Sequence, residues 1–120
     1  MTGADDALDR FEARLGHAFR DRALLVEALT HRSFANEHPG APVGVLTPRR
    51  AALVSGPSLA RWAEQLALAP HLRLGRGEQQ TGGPGKESVL ATALEAVVGA
   101  VYLDAGLPGA RRVVASLAVW

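Results

Sequence analysis

Carboxylates, and the spacing between them, are where this chain would do chemistry. Glu95 lies in the apolar run LATALEAVVGAV, and Thr92 precedes it by three residues, so helical spacing puts the two side chains side by side. A hard divalent cation such as magnesium needs several oxygen ligands, usually carboxylates plus water, and it activates water for hydrolysis. The Glu95 carboxylate offers oxygens of that kind, and Thr92 only a neutral hydroxyl. Glu37 is a second candidate carboxylate, in the segment SFANE. Asp104 falls further along the same helix, out of reach of Glu95. Glu64 and Glu78 match no catalytic arrangement. Glu95 has a second reading as a partly buried carboxylate, which needs a partner or takes up a proton; His31 or Arg32 can pair with it. His31 also reads as structural, bonding a backbone carbonyl, and His17, His38 and His71 share no metal-ligand spacing.

A second group surrounds the glycine-rich segment LGRGEQQTGGPGK. Arg73, Arg76 and Lys86 flank backbone that can approach phosphates, which would position a nucleic acid without reading its sequence. The alternative is a sharp connection between helices. The segment lacks the ending of a nucleotide-binding P-loop, and no strand precedes it. Arg49-Arg50 and Arg111-Arg112 read as solvated helix faces.

The elements that must position these groups are helical. Asp5 and Asp6 open a first helix with Leu8, Phe11 and Leu15 on one face, stopped by Gly16. Asp21 caps a second, carrying Leu24, Leu25, Ala28 and Leu29. Residues His38 to Pro48 form an extended Pro- and Gly-rich link. Thr47-Pro48 starts a short third helix ending near Gly56, and Pro57 starts a fourth with Leu59, Trp62, Ala63 and Leu66. Ala69 to Gly85 reads as loop. Glu87 or Ser88 opens the longest helix, with Leu90, Leu94, Val97 and Val101 on one stripe and Thr92, Glu95, Gly99 and Tyr102 on another. It ends before Gly106, and Pro108 opens a last helix burying Val113, Val114 and Leu117. The expected fold is all-α, with about six helices and no strand.

Composition agrees. The 120 residues make one domain, 48% hydrophobic but only 5% aromatic, so the core is aliphatic and alanine-rich. With no cysteine, disulfides and thiolate metal sites are excluded. No apolar run reaches membrane-spanning length and the N-terminus is acidic, so a cytoplasmic location is expected. A net charge of +1 is small for a nucleic-acid binder.

Three blocks, in order, resemble the ribonuclease III catalytic-domain family: Leu24 to Glu37 (LLVEALTHRSFANE), Arg49 to Leu59 (RRAALVSGPSL) and Leu72 to Gly106 (LRLGRGEQQTGGPGKESVLATALEAVVGAVYLDAG). The family carries a signature helix reading roughly N-E-R-L-E-F-L-G-D-A-V-L between the first two blocks, which supplies two magnesium-binding acids. Here Glu37 runs through HPGAPVGVLTP directly into Arg49. Two further acids of the family stand three residues apart in its last core helix, where this chain has Thr92 and Glu95. The resemblance therefore implies a ribonuclease III-like endonuclease domain spanning residues 1–120, lacking its central signature helix and a double-stranded-RNA-binding domain. Glu95 would be a vestigial catalytic and metal-binding residue, with Glu37 the other candidate. No cofactor is expected, magnesium entering only if activity remains.

The signature helix also lies at the family's homodimer interface, so its loss predicts exposed apolar surface covered by a second copy, with helices exchanged about the link from His38 to Pro48. Three functions follow from the resemblance: a noncleaving dimeric module on RNA or a ribosomal particle, a divergent magnesium-dependent double-stranded-RNA endonuclease, or a deletion relic without a role. The lost carboxylates and low charge favour the first or third.

Overall fold

The computed structural model describes residues 3–40 and 56–118. The short third helix expected after Thr47, the Arg49-Arg50 pair, and most of the proposed hinge lie outside the described residues.

Helix α1 (Gly3–Leu15) ends where expected, at Gly16, whose φ of 86° lets its amide and that of His17 both donate to the Glu12 carbonyl. Helix α2 (Arg22–Ala28) is capped by Asp21, whose carboxylate accepts the Ala23 amide at 3.1 Å. Arg22 turns back to α1, donating to Asp9 and gripping buried Glu12 with both Nε and Nη2. Those bonds hold its guanidinium even more firmly protonated than usual. Glu12 also accepts the Phe19 amide, so its carboxylate is satisfied on both oxygens.

Two short helices lie outside the stretches where helix was expected. Helix α3 (Arg32–Glu37) starts at His31, whose Nδ1 accepts the Ser33 amide at 3.1 Å in the place usually taken by Ser, Thr, Asp or Asn. Helix α4 (Gly56–Gln65) opens at the expected Pro57 and buries Leu59, Ala60 and Ala63, with Leu66 just beyond its end. After Ala67, at φ 52°, a 3-10 turn at Ala69–His71 leads to Leu72. The expected loop from Ala69 to Gly85 contains helix α5 (Arg76–Gln80) and a second 3-10 turn, Gly83–Gly85. Among the described residues the only β-type pairing is one isolated parallel bridge, Thr30 with Arg73.

Helix α6 (Glu87–Ala118) organises the rest. It departs from helical geometry at Gly106 (φ 74°, ψ −174°), two residues before Pro108, so the break expected from sequence is present within one long element. Leu90, Leu94, Val97 and Val101 are all buried, and α6 packs mainly against α4 and α2. Beyond the break Val113 and Leu117 are buried, while Val114 is half-exposed. Contrary to expectation, α6 is long and apolar enough to cross a membrane by length and composition. Its apolar stripe instead forms the centre of this core, and the backbone break at Gly106 interrupts it.

Asp104 is the tie between α6 and the α1–α2 loop. Its side chain is 3% exposed and accepts the Arg20 amide, the Asp21 amide and His17 Nε2 at 2.9, 3.0 and 2.8 Å. The Arg20 amide bond, followed by those from His17 and the Asp21 amide, holds its carboxyl below the usual range. A carboxyl so depressed adds stability that is complete above its ordinary value of 3.8 and disappears as pH falls through the folded value. Asp104→Asn is expected to weaken the acid limb of a urea-midpoint-versus-pH curve in that range. An unchanged limb would assign acid sensitivity to other groups.

Candidate functional site

The candidate residues divide between two places. Glu95 is half-buried on α6, between fully buried Leu94 and half-buried Ala96, and Thr92 lies one turn earlier, also half-buried. The other four gather where α3 meets the α5 region.

Glu37 is the last residue of α3, and its Oε2 accepts the Arg76 amide at 2.7 Å, the first amide of α5. One residue earlier, the Gly75 amide donates to Ser33 Oγ at 2.8 Å, and Ser33 Oγ lies 2.8 Å from His31 Nδ1. Since Nδ1 already accepts the Ser33 amide, the hydroxyl donates to it and the ring carries its proton on Nε2. His31 is structural, as expected, but through an amide rather than a carbonyl, and as the cap of α3. A carboxylate and a hydroxyl from α3 thus satisfy the first orphan amides of α5. The two elements approach so closely that a Cβ on Gly75 would sit 2.4 Å from the Ser33 carbonyl oxygen and 2.8 Å from Glu37 Oε2.

Arg73 is held by its own backbone: its amide donates to the Leu29 carbonyl and its carbonyl accepts the His31 amide, both at 2.8 Å. Its guanidinium lies 4.3 Å from the centre of the Phe34 ring. The His38 imidazole stacks on that ring at 4.0 Å and 9°. Arg76 is exposed. Lys86 bonds Glu78 at 2.9 Å, and that bond, followed by the charge of Lys86, keeps the Glu78 carboxyl below its usual range. Of the three basic residues, then, Arg73 lies against an aromatic ring, Lys86 against a carboxylate, and Arg76 is open to solvent.

This arrangement does not fit a magnesium centre. Glu95 brings one carboxylate, Thr92 is neutral, and one oxygen of Glu37 accepts a backbone amide. Among the described residues no three His, Asp or Glu side chains group as metal ligands. The stretch 41–55, APVGVLTPRRAALVS, contains no acid or histidine to add.

Sequence reasoning named Glu37, Arg73, Arg76 and Lys86 as candidates but not their connections. Ser33, Phe34 and Gly75 were missed: no local pattern signals a contact between residues some forty positions apart.

Comparison with known proteins places this geometry. A model of the ribonuclease-III-like family matches residues 38–119. Ribonuclease 3 of Ectopseudomonas mendocina (strain ymp) is 43% identical over 129 residues, taking in 88% of this chain and 56% of the relative. Ribonuclease 3 of Pseudomonas fluorescens (strain Pf0-1) is 44% identical over 137 residues, or 93% of this chain and 60% of the relative. The chain spans little more than half the length of these curated relatives, and both alignments are longer than its 120 residues. The crystal structure of the nuclease domain of ribonuclease III from Campylobacter jejuni superposes with a TM-score of 0.75 at 30% identity, covering 92% of each chain. A second structure of that domain, described for flexibility in a region involved in dimer formation, gives 0.74 at 29% identity, covering 92% of this chain and 94% of the other.

Proposed function

This chain belongs to the ribonuclease III family, and from that membership we propose that it acts as a noncleaving module, paired with a second copy of itself and associated with structured RNA. The observation that carries this reading is the Thr92–Glu95 pair. The resemblance puts two metal-binding acids there, and one is a hydroxyl. The only other candidate, Glu37, is engaged in holding α5 to α3. Loss of the signature helix belongs to the same reading, supported by alignments longer than the chain itself. Pairing is supported by the Campylobacter jejuni domain, which has a region involved in dimer formation, and by the exposed Tyr102, Leu103 and Leu107 around the break in α6. Arg76, Arg111 and Arg112 are exposed cations available to phosphate oxygens.

The test is a labelled RNA duplex incubated with the protein in magnesium, manganese or chelator and run on native and denaturing gels. An intact, shifted duplex is expected, with affinity falling as salt rises because phosphate contacts release counterions. Metal-dependent fragments that disappear in Glu95→Ala would establish the second reading, a divergent endonuclease, which retention of Glu95 and the likeness to proteins named ribonuclease 3 favour. Sedimentation of the same preparation is expected to give a dimer; a monomer at micromolar concentration would remove the pairing.

A further inference from the structure

The turn after α4 places a histidine against two arginines. His71, the last residue of the 3-10 turn Ala69–His71, is half-buried, with its ring 5.2 Å from that of Phe11 on α1. Arg14, also on α1, donates through Nε to the Leu66 carbonyl at 2.8 Å and sets Nη2 3.4 Å from His71 Nε2. A guanidinium has no acceptor, so the contact exists only while Nε2 is unprotonated. Arg10 adds a second positive charge from the same helix. The other turn packed against this one, Gly83–Gly85, is uncharged. Among the described residues the charges that act on the ring are those of Arg14 and Arg10, both positive, and neither could balance an imidazolium.

We propose that this contact is a pH-operated latch on the N-terminal helix: proton uptake at His71 Nε2 removes the acceptor for Arg14, sets an imidazolium against two guanidiniums, and increases local opening of α1. Burial, then Arg14 and Arg10, hold the ring below its ordinary value of 6.5. The neutral ring therefore stabilises the closed helix fully above that value. The contribution falls away as pH drops from 6.5 towards the depressed folded value. Opening uncovers Phe11 and Leu15, both fully buried when α1 is docked. The device involves neither RNA nor metal, so it stands or falls separately from the proposed function.

Hydrogen exchange of the whole chain, expressed as protection factors corrected for intrinsic rates, reads the latch between about pH 7.5 and about pH 5.5. Protection of α1 amides is expected to fall several-fold with acidification while that of Leu90 to Val101 holds. His71→Gln keeps an acceptor for Arg14 at every pH and is expected to remove the pH dependence, whatever its absolute protection. Arg14→Gln removes one opposing cation and is expected to shrink it. A wild-type α1 whose protection ignores pH overturns the proposal, as does an equal fall in His71→Gln.

Discussion

Leu94→Ala is expected to destabilise the domain by about 2–5 kcal/mol, the range for emptying a buried leucine site. Leu94 is 0% exposed and sits mid-stripe on α6, the helix that both α2 and α4 pack against. Its neighbours Leu90, Val97 and Val101 are fixed on the same helix, so they cannot collapse far into the space. Against a total stability of about 5–15 kcal/mol for a domain of this kind, the loss is large enough to bring the folded state near its limit. Ser116 is the internal control: same helix, but exposed and outside the apolar patch around Gly106, and its alanine variant is expected to stay within about 0.5 kcal/mol of wild type. Urea unfolding monitored by circular dichroism measures both. Similar midpoints for the two variants would mean that α6 does not pack as described.

Gly75→Ala is expected to cost about 1–3 kcal/mol, through crowding rather than backbone strain. The φ of Gly75 is −66°, open to any residue, but its new Cβ would meet the Ser33 carbonyl oxygen at 2.4 Å. That oxygen belongs to α3 backbone and has no rotamer to retreat into, and Glu37 Oε2 closes the other side at 2.8 Å. Relief requires α3 and α5 to separate, lengthening the Gly75–Ser33 and Arg76–Glu37 bonds together. Amides of α5 should therefore lose exchange protection well before those of α6. Gly77→Ala, two residues on and with nothing within 4 Å, is expected to be neutral or to stabilise by up to about 1 kcal/mol through helix propensity. Equal thermal stability of the two variants would remove the close approach from the account.

What could be read from sequence follows the range of the forces involved. The Asp21 cap, the stop at Gly16, the break at Gly106 before Pro108, and the buried stripe from Leu90 to Val101 depend on neighbours within a turn or two. All are found where the residues indicate. Helices α3 and α5, of six and five residues, are too short for periodicity to register. Their stability comes from each other: His31 and Ser33 fix one end, and Glu37 supplies the acceptor that Arg76 lacks locally. Glu37 stood out as a carboxylate near a family motif, but its contact with Arg76 crosses 39 positions and leaves no local trace. Arg73 drew two readings of its glycine-rich segment, phosphate contact or helix connector, from its sequence neighbours alone. Phe34, the ring beneath it, is remote in sequence.

The clamp made by Leu29, His31, Ser33 and Glu37 on Arg73, Gly75 and Arg76 closes the intervening chain into a loop whose ends are pinned by four hydrogen bonds, all between 2.7 and 2.8 Å. Closing such a loop has an entropy that grows only with the logarithm of its length, about 0.6 kcal/mol for each doubling. Residues added to or removed from the stretch between α3 and α4 therefore change the cost of closure little, while the ends stay in register. The joint thus acts as a frame that would hold the same core together around a longer or a shorter connection between these helices.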